Sequence, residues 1–421
     1  MMSYPKYIDK GLLWISKIPD HWDVKKMKYC FDERSEKGHP DEPVLCATQS
    51  RGVIPQSMYE GRVVVVNKGF ENLKFVCVGD FVISLRSFQG GLEYAYYQGI
   101  ISAAYTILSI KDPKQREYYK YLFKSKPFIK LLETCVTGIR EGQNINYSVL
   151  RDKLLPIPPL EEQEKIVEYI DAKSNKIKSY ISERERELKI LSELKQSQIA
   201  EVVTRGLNPD APLKDSGVPW IGMIPEHWEM KRLSQVAYEH YISNKSVHHQ
   251  NLLSLSYGNI VRKDINTTEG LLPASFDDYQ IVEPGNIILR LTDLQNDHKS
   301  LRVGLVKEEG IITSAYVCLG IINEAKILPA YLYNLLHTYD IMKLFYSMGG
   351  GIRQGLNWQG LKKLDVVLPL IDEQRAIVES INSKCNHIDT MIANIESEIA
   401  YLKEYKQRLI ADAVTGAINV Q

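Results

Sequence analysis

The chain says the same thing twice. WISKIPDHW (residues 14–22) returns as WIGMIPEHW (residues 220–228). GDFVISLR (79–86) is echoed by GNIILRL (285–291), and GIISAAY (99–105) by GIITSAY (310–316). TGIREGQN (137–144) returns as GGIRQGLN (350–357), and LPIPPLEEQEKIVEYI (155–170) as VLPLIDEQRAIVESI (367–381). Even the ends agree, with Val203-Thr204 in one half and Val414-Thr415 in the other. Matching landmarks in the same order define two copies of one unit of roughly 210 residues, far longer than a solenoid repeat. The chain therefore reads as a tandem duplication of a domain with its connector.

Each copy has two textures. The first is a series of short β-branched and aromatic runs such as KFVCVGDFVIS and IITSAYVCLGII, broken by Gly, Pro and Asn, which predicts strands. One helix per copy is expected within it, at YYKYLFKSKPFIKLLET and PAYLYNLLHTYDIMKLFYSM. The second texture follows the prolines at 156–159 and at 369. From Glu161 to Thr204 and from Asp372 to Val414 there is neither Gly nor Pro, and acidic residues lead the first turn, where the helix dipole favours them. The expected organisation is a recognition-type domain at 1–158, a helix at 159–206, a second domain at 207–369 and a second helix at 370–421.

The second helix carries a seven-residue repeat. Val378, Ile381, Cys385, Ile388, Ile392, Ile395, Ile399, Leu402, Lys406, Leu409 and Ala413 alternate steps of three and four, the spacing of a coiled-coil seam. The matching positions of the first helix include Ile170, Ile177, Ile181, Leu188, Leu191 and Lys195, with Ser174 and Arg184 as polar interruptions. A helix of about 43 residues at about 1.5 Å each spans on the order of 65 Å. That exceeds the domain before it, so pairing with its duplicate is favoured over packing back on its own domain. Lys195 and Lys406 occupy equivalent seam positions, a polar device for fixing register.

Composition excludes more than it assigns. Lys plus Arg and Asp plus Glu both total 52, so no global charge steers the chain toward nucleic acid. The six cysteines include no C-x-x-C pair, which argues for a reducing compartment and against structural zinc. The start, MMSYPKYIDK, has no secretory core, and no apolar run reaches a membrane span of roughly 18 residues. The expected address is the cytoplasm. There is no P-loop, no G-x-S-x-G elbow, no H-E-x-x-H and no N-P-P-[YF] loop. His21 and His227, between Pro-[DE] and Trp, read as packing or capping residues. The chain is expected to be a scaffold or reader with no catalytic residue, no cofactor and no metal.

R-x-G-x-N, followed by L-P and shortly afterwards by [DE]-E-Q, occurs in both copies, as REGQNINYSVLRDKLLPIPPLEEQ and RQGLNWQGLKKLDVVLPLIDEQ. With WIGMIPEHWEMKRL it resembles the specificity subunits of type I restriction-modification systems, over essentially the whole chain. The resemblance implies an α+β fold: two tandem target-recognition domains of mixed strands and helices, each followed by a long α-helix. The helices would pair as an antiparallel coiled coil with pseudo-two-fold symmetry. It further implies a non-catalytic subunit that reads a bipartite, asymmetric target in double-stranded DNA. Two adenine-methyltransferase (modification) subunits would be held by it, and restriction-translocase subunits through them. A coiled-coil adaptor of a defence system, without DNA readout, is the competing expectation.

Base readout needs polar side chains on loops that reach groove edges. In the first copy the candidates are Thr48, Gln49, Ser50, Arg51, Arg86, Ser87 and Gln89. In the second they are Ser256, Tyr257, Asn259, Arg290, Thr292, Gln295, Asn296, His298 and Lys299. Arg140, Gln143 and Asn144, with Arg353, Gln354 and Asn357, recur in both copies and cannot distinguish two half-sites, so they are assigned to DNA backbone or architecture. The expected helix–helix seam is Ile170, Ile177, Ile181, Leu188, Leu191 and Lys195 against Ile381, Ile388, Ile392, Ile395, Ile399, Leu402, Lys406 and Leu409. Outside the helices the charge is slightly positive, and on them negative.

Overall fold

The computed structural model describes residues 3–61, 68–83, 90–137, 144–266, 275–294, 297, 300–348 and 355–420. Two compact units emerge, one of residues 1–184 with 396–421, the other of residues 185–395. Each unit thus contains one duplicated domain, the beginning of the long helix that follows it, and the far end of the other long helix.

In the first unit an antiparallel sheet orders its strands as Phe31–Arg34, Thr106–Ile110, Phe81–Ile83 and Glu93–Tyr94. A hairpin, Leu45–Thr48 with Gly52–Pro55, and a ladder, Lys74–Val76 with Gly99–Ile101, flank it. The second unit repeats this plan with Ala237–Glu239, Val317–Ile321, Ile287–Leu289 and Val303–Leu305 in the sheet. Its hairpin is Leu253–Ser256 with Asn259–Arg262, and its ladder Gln280–Val282 with Gly310–Ile312. The strands alternate as their apolar residues demand, and the central ones bury both faces.

The single helix expected in each domain is two. Arg116–Leu122 stops before Lys126–Glu133, because the Ser125 hydroxyl accepts the Phe128 N–H at 3.4 Å and Pro127 occupies the first turn, both start signals for a new helix. Pro329–Ile341 and Leu344–Met348 are separated at Lys343, whose φ is 62°.

The long helices run Leu160–Arg205 and Ile371–Val414. In the first unit Tyr180 Oη donates to Glu398 Oε1 at 2.9 Å, while Ile166 and Ile170 share a core with Leu409, Ile410, Ala413 and Val414. In the second, Lys195 Nζ meets Asp389 at 2.6 Å, and Ile199, Val202 and Val203 pack with Ile377 and Ile381. Numbers rise on one helix as they fall on the other, so the pairing inside each unit is antiparallel. The seven-residue rhythm is visible in the burial: Ile170, Ile177, Leu191, Ile381, Ile388, Ile395, Ile399 and Leu409 are buried, and Ile181, Leu188, Lys195, Ile392, Leu402 and Lys406 half-buried.

The quoted repeats turn out to bind each other. Trp22 and Trp228 are fully buried, and their indole N–H groups donate at 3.0 Å to Glu162 and Glu373, in the first turn of the long helix of the same copy. His21 and His227 hold the same carboxylates at 2.8 and 2.9 Å. The next residues, Gln163 and Gln374, each donate back to a carbonyl of the preceding proline stretch, Pro158 and Pro369, at 2.9 Å. The H-W of the opening motif and the E-Q of the helix motif are two halves of one latch.

The six-membered ring of each tryptophan meets the end of the other long helix. Gly416 turns at φ 73° beside Trp22 and Pro19, where a Cβ would lie 2.5 Å from the proline ring, and Gly206 turns at φ 77° beside Trp228. Tyr118 and Tyr331 donate to the last helical carbonyls, Val414 O at 2.7 Å and Val203 O at 3.3 Å. The matching Val-Thr ends are therefore docking ends.

Candidate nucleic-acid interface

The hairpin of each domain presents the side chains that differ between the copies. In the first unit the turn is a three-residue loop, Gln49, Ser50 and Arg51, all exposed and closed by Gly52. Thr48 belongs to the turn itself: it is buried, donates to Gly52 O at 2.9 Å and accepts the Arg51 N–H at 3.1 Å. Its one hydroxyl proton is spent inside the turn, and the residue is buried. The Arg51 guanidinium rests on Met58 O at 2.9 Å.

The second hairpin closes in two residues, Tyr257 and Gly258, with φ of 45° and 80°, the tight turn that matches strand twist. Tyr257 is 75% exposed and projects from the tip. Asn259 is exposed beside it, and Ser256 half-buried.

Arg290 and Thr292 stand on a loop with an unforeseen organiser. Arg302 is fully buried and donates to the carbonyls of Arg290 (3.0 Å), Thr292 (2.9 Å), Asp293 (3.3 Å) and Asp297 (2.6 Å). Its Nε reaches Tyr346 Oη at 3.1 Å. One buried guanidinium thus shapes the loop that carries the candidates. A lone arginine in a short apolar run gives no sequence signal of this. Thr292 is exposed, and the Arg290 side chain leans toward Asp297 at 3.6 Å.

Asn357 caps the short helix Trp358–Leu361, its side chain accepting the Gly360 N–H at 3.2 Å. In the first copy the equivalent cap is Asn146, which accepts the Ser148 N–H at 3.0 Å ahead of Tyr147–Leu150. The pairing of Asn144 with Asn357 is therefore displaced by two residues, because the first copy is longer just before the helix. The backbone of Asn144 belongs to the short strand Asn144–Ile145. Arg86, Ser87, Gln89, Arg140, Gln143, Gln295, Asn296, His298, Lys299, Arg353 and Gln354 lie outside the described residues.

Beneath the first hairpin tip is a groove of about 830 Å³. Gln49, Ser50 and Arg51 form one bank, Tyr94, Tyr96, Lys120, Tyr121, Lys124 and Lys126 line its middle, and Ser174, Lys178 and Lys406 of the paired helices lie at its foot. Lys120 Nζ is 5.2 Å from the ring centres of both Tyr94 and Tyr96, and 5.9 Å from that of Tyr121. Lys124 is structural: it meets buried Glu93 at 2.6 Å and donates to Gly90 O at 2.8 Å and Gln49 O at 3.3 Å, bracing the tip from below. Burial raises the Glu93 pKa, and Lys124 pulls it back. Cations interleaved with aromatic faces suit phosphate and base surfaces. The runs YAYY and YYKYLFK carry that signal in the sequence, and of the two only the second is assigned an element there, a helix.

In the second unit the place of Lys124 under the tip is taken by His337, whose ring lies 3.3 Å from where a Gly258 Cβ would be. Burial, then Lys195, lowers its pKa to about 4. Among the described residues no cluster of three or more His, Cys, Asp or Glu could hold a metal ion, and no helix is long and apolar enough to cross a membrane.

Residues 17–189 match the family model for the type I restriction modification DNA specificity domain. Over 96% of its length the chain is similar to the type I restriction enzyme MjaVIII specificity subunit of Methanocaldococcus jannaschii, with 24% identity and 95% of that protein covered. It is also 24% identical to the EcoBI specificity subunit of Escherichia coli, over 66% of this chain and 61% of that one. In fold it is similar to a chain from a structural study of complex assembly and conformational transition in a type I restriction-modification system. There the TM-score is 0.66 at 16% identity, covering 96% of this chain and 100% of the other.

Proposed function

We propose that the chain, similar in sequence and fold to the specificity subunits of type I restriction-modification systems, is such a non-catalytic subunit and reads a split, asymmetric DNA target, one half-site with each recognition domain. The observation that carries this reading is one topology used twice with unlike tips: Gln49-Ser50-Arg51 in one hairpin and Tyr257-Gly258 in the other. Equal frames place loops at equivalent heights, and unequal side chains let each loop address a different edge pattern. The candidate readers are Gln49, Ser50 and Arg51 in the first domain and Tyr257, Asn259, Arg290 and Thr292 in the second. Thr48 moves from reader to turn-former.

In this reading the modification subunits dock along the long helices, and restriction subunits join through them. The paired helices set the number of unread base pairs between half-sites. The test is an exchange of the region before Leu155 for that of another such subunit, followed by sequencing of methylated sites. One half-site should change and the other persist; two unchanged half-sites would refute the modular reader.

A further inference from the structure

At the foot of the first unit's groove, the two long helices bring together Ser174, Lys178 and Lys406, donors with no hydrogen-bond or ion-pair partner among the described residues. Ser174 is 4% exposed, lines the groove, and its hydroxyl has no hydrogen-bond partner among the described residues. A helical serine can return its hydroxyl to the carbonyl four residues back, and here it does not. One turn on stands Lys178, and across the pair stands Lys406; both line the same groove, and neither makes an ion pair among the described residues. The two ammonium groups act on each other, and burial together with Lys178 lowers the Lys406 pKa. The one carboxylate on the described lining, Asp171, accepts the Tyr121 hydroxyl.

In the second unit the equivalent positions are closed by an internal ion pair. Positions 174, 178 and 406 correspond to Cys385, Asp389 and Lys195. There Lys195 is closed by Asp389 at 2.6 Å, and a thiol replaces the hydroxyl. The seam lysine is thus neutralised from within in one unit and left facing a second lysine in the other.

We propose that Ser174, Lys178 and Lys406 form a phosphate site for the DNA backbone, present in the first unit alone. The proposal rests on the DNA reading above and adds that the subunit grips the backbone unequally at its two ends. DNA is favoured over an acidic protein segment because the groove is continuous with the exposed tip Gln49-Ser50-Arg51 and passes the Tyr94 and Tyr96 rings. A backbone lying below a base-reading tip would meet these donors in turn.

The test uses the full chain with the subunits that co-purify with it, and a mixed-sequence DNA duplex as probe, since phosphate contacts dominate non-specific binding. Lys178→Asp installs the ion pair that the second unit already has, so the fold should hold; Lys178→Gln removes the charge without adding its opposite. Both should make the slope of log affinity against log salt shallower by about 0.9 per lost phosphate contact, and leave the methylated sequence unchanged. A steep wild-type slope retained in both variants would overturn the phosphate site while leaving the DNA reading intact. Loss of a co-purifying subunit with the slope unaltered would mark the groove as a protein-docking surface and overturn it equally. Absence of salt-dependent binding by the wild type would defeat the DNA reading itself, and this inference with it.

Discussion

Glu162 and Glu373 do the same work in unequal surroundings. Glu162 is 3% exposed and serves Trp22, His21 and Tyr4, whereas Glu373 is 25% exposed and serves Trp228 and His227. A buried donor stripped of its acceptor costs its desolvation, whereas one near water recovers part of it. Glu162→Ala should therefore cost about 2–3 kcal/mol and Glu373→Ala about 1 kcal/mol. Denaturant midpoints measure both, and equal losses would contradict the latch as described. His337 gives a second prediction. Its folded-state pKa of about 4 lies below the ordinary 6.5, so the folded form stays neutral while the unfolded chain takes up a proton. Stability contributed by neutral His337 is complete above about pH 6.5 and is lost as pH falls toward 4, on the order of 3 kcal/mol in all. Melting temperatures at pH 7 and pH 4.5 should diverge less in His337→Phe than in the parent; an unchanged divergence would show that another group governs this limb.

Among the elements, the long helices were the most legible part, because burial follows the apolar heptad almost position by position. Ile177 and Ile388 are equivalent seam residues, both buried, and truncating either to Ala should cost about 2–5 kcal/mol through lost contacts and a cavity. Thermal unfolding of the two variants checks this, and a cost near zero would place the seam elsewhere. The repeated landmarks were legible as repeats but not as partners. Periodicity describes one element at a time, and the Trp–Glu latch joins residues about 140 positions apart. The break at Ser125 was readable from its cap and proline, but the neighbouring tyrosines and leucines continue a helical rhythm across it. The groove was partly legible: its tip residues were named, its Lys-Tyr middle was present in the text of the helix, and its foot required two helices to meet. Arg302 illustrates the remainder, since a buried cation held by four carbonyls depends on loop geometry that spacing does not encode.

For the whole molecule, the proposed reading is that two copies of one frame each read one half-site and that the paired helices set the number of unread base pairs between the half-sites. Each unit is completed by the far end of the other copy's helix, so the Val-Thr-Gly end at 414–416 and the Val-Thr-Arg-Gly end at 203–206 are as structural as any core residue. This design ties the presence of one recognition domain to the integrity of both helices. The most direct measurement is to insert four residues after Arg184 and four after Ile395, then sequence the methylated sites. One added helical turn is about 5.4 Å, against about 3.4 Å per base pair along a strand. Both half-site sequences should survive with the unread stretch lengthened by one or two base pairs. An unchanged spacing in a folded, active complex would contradict the account.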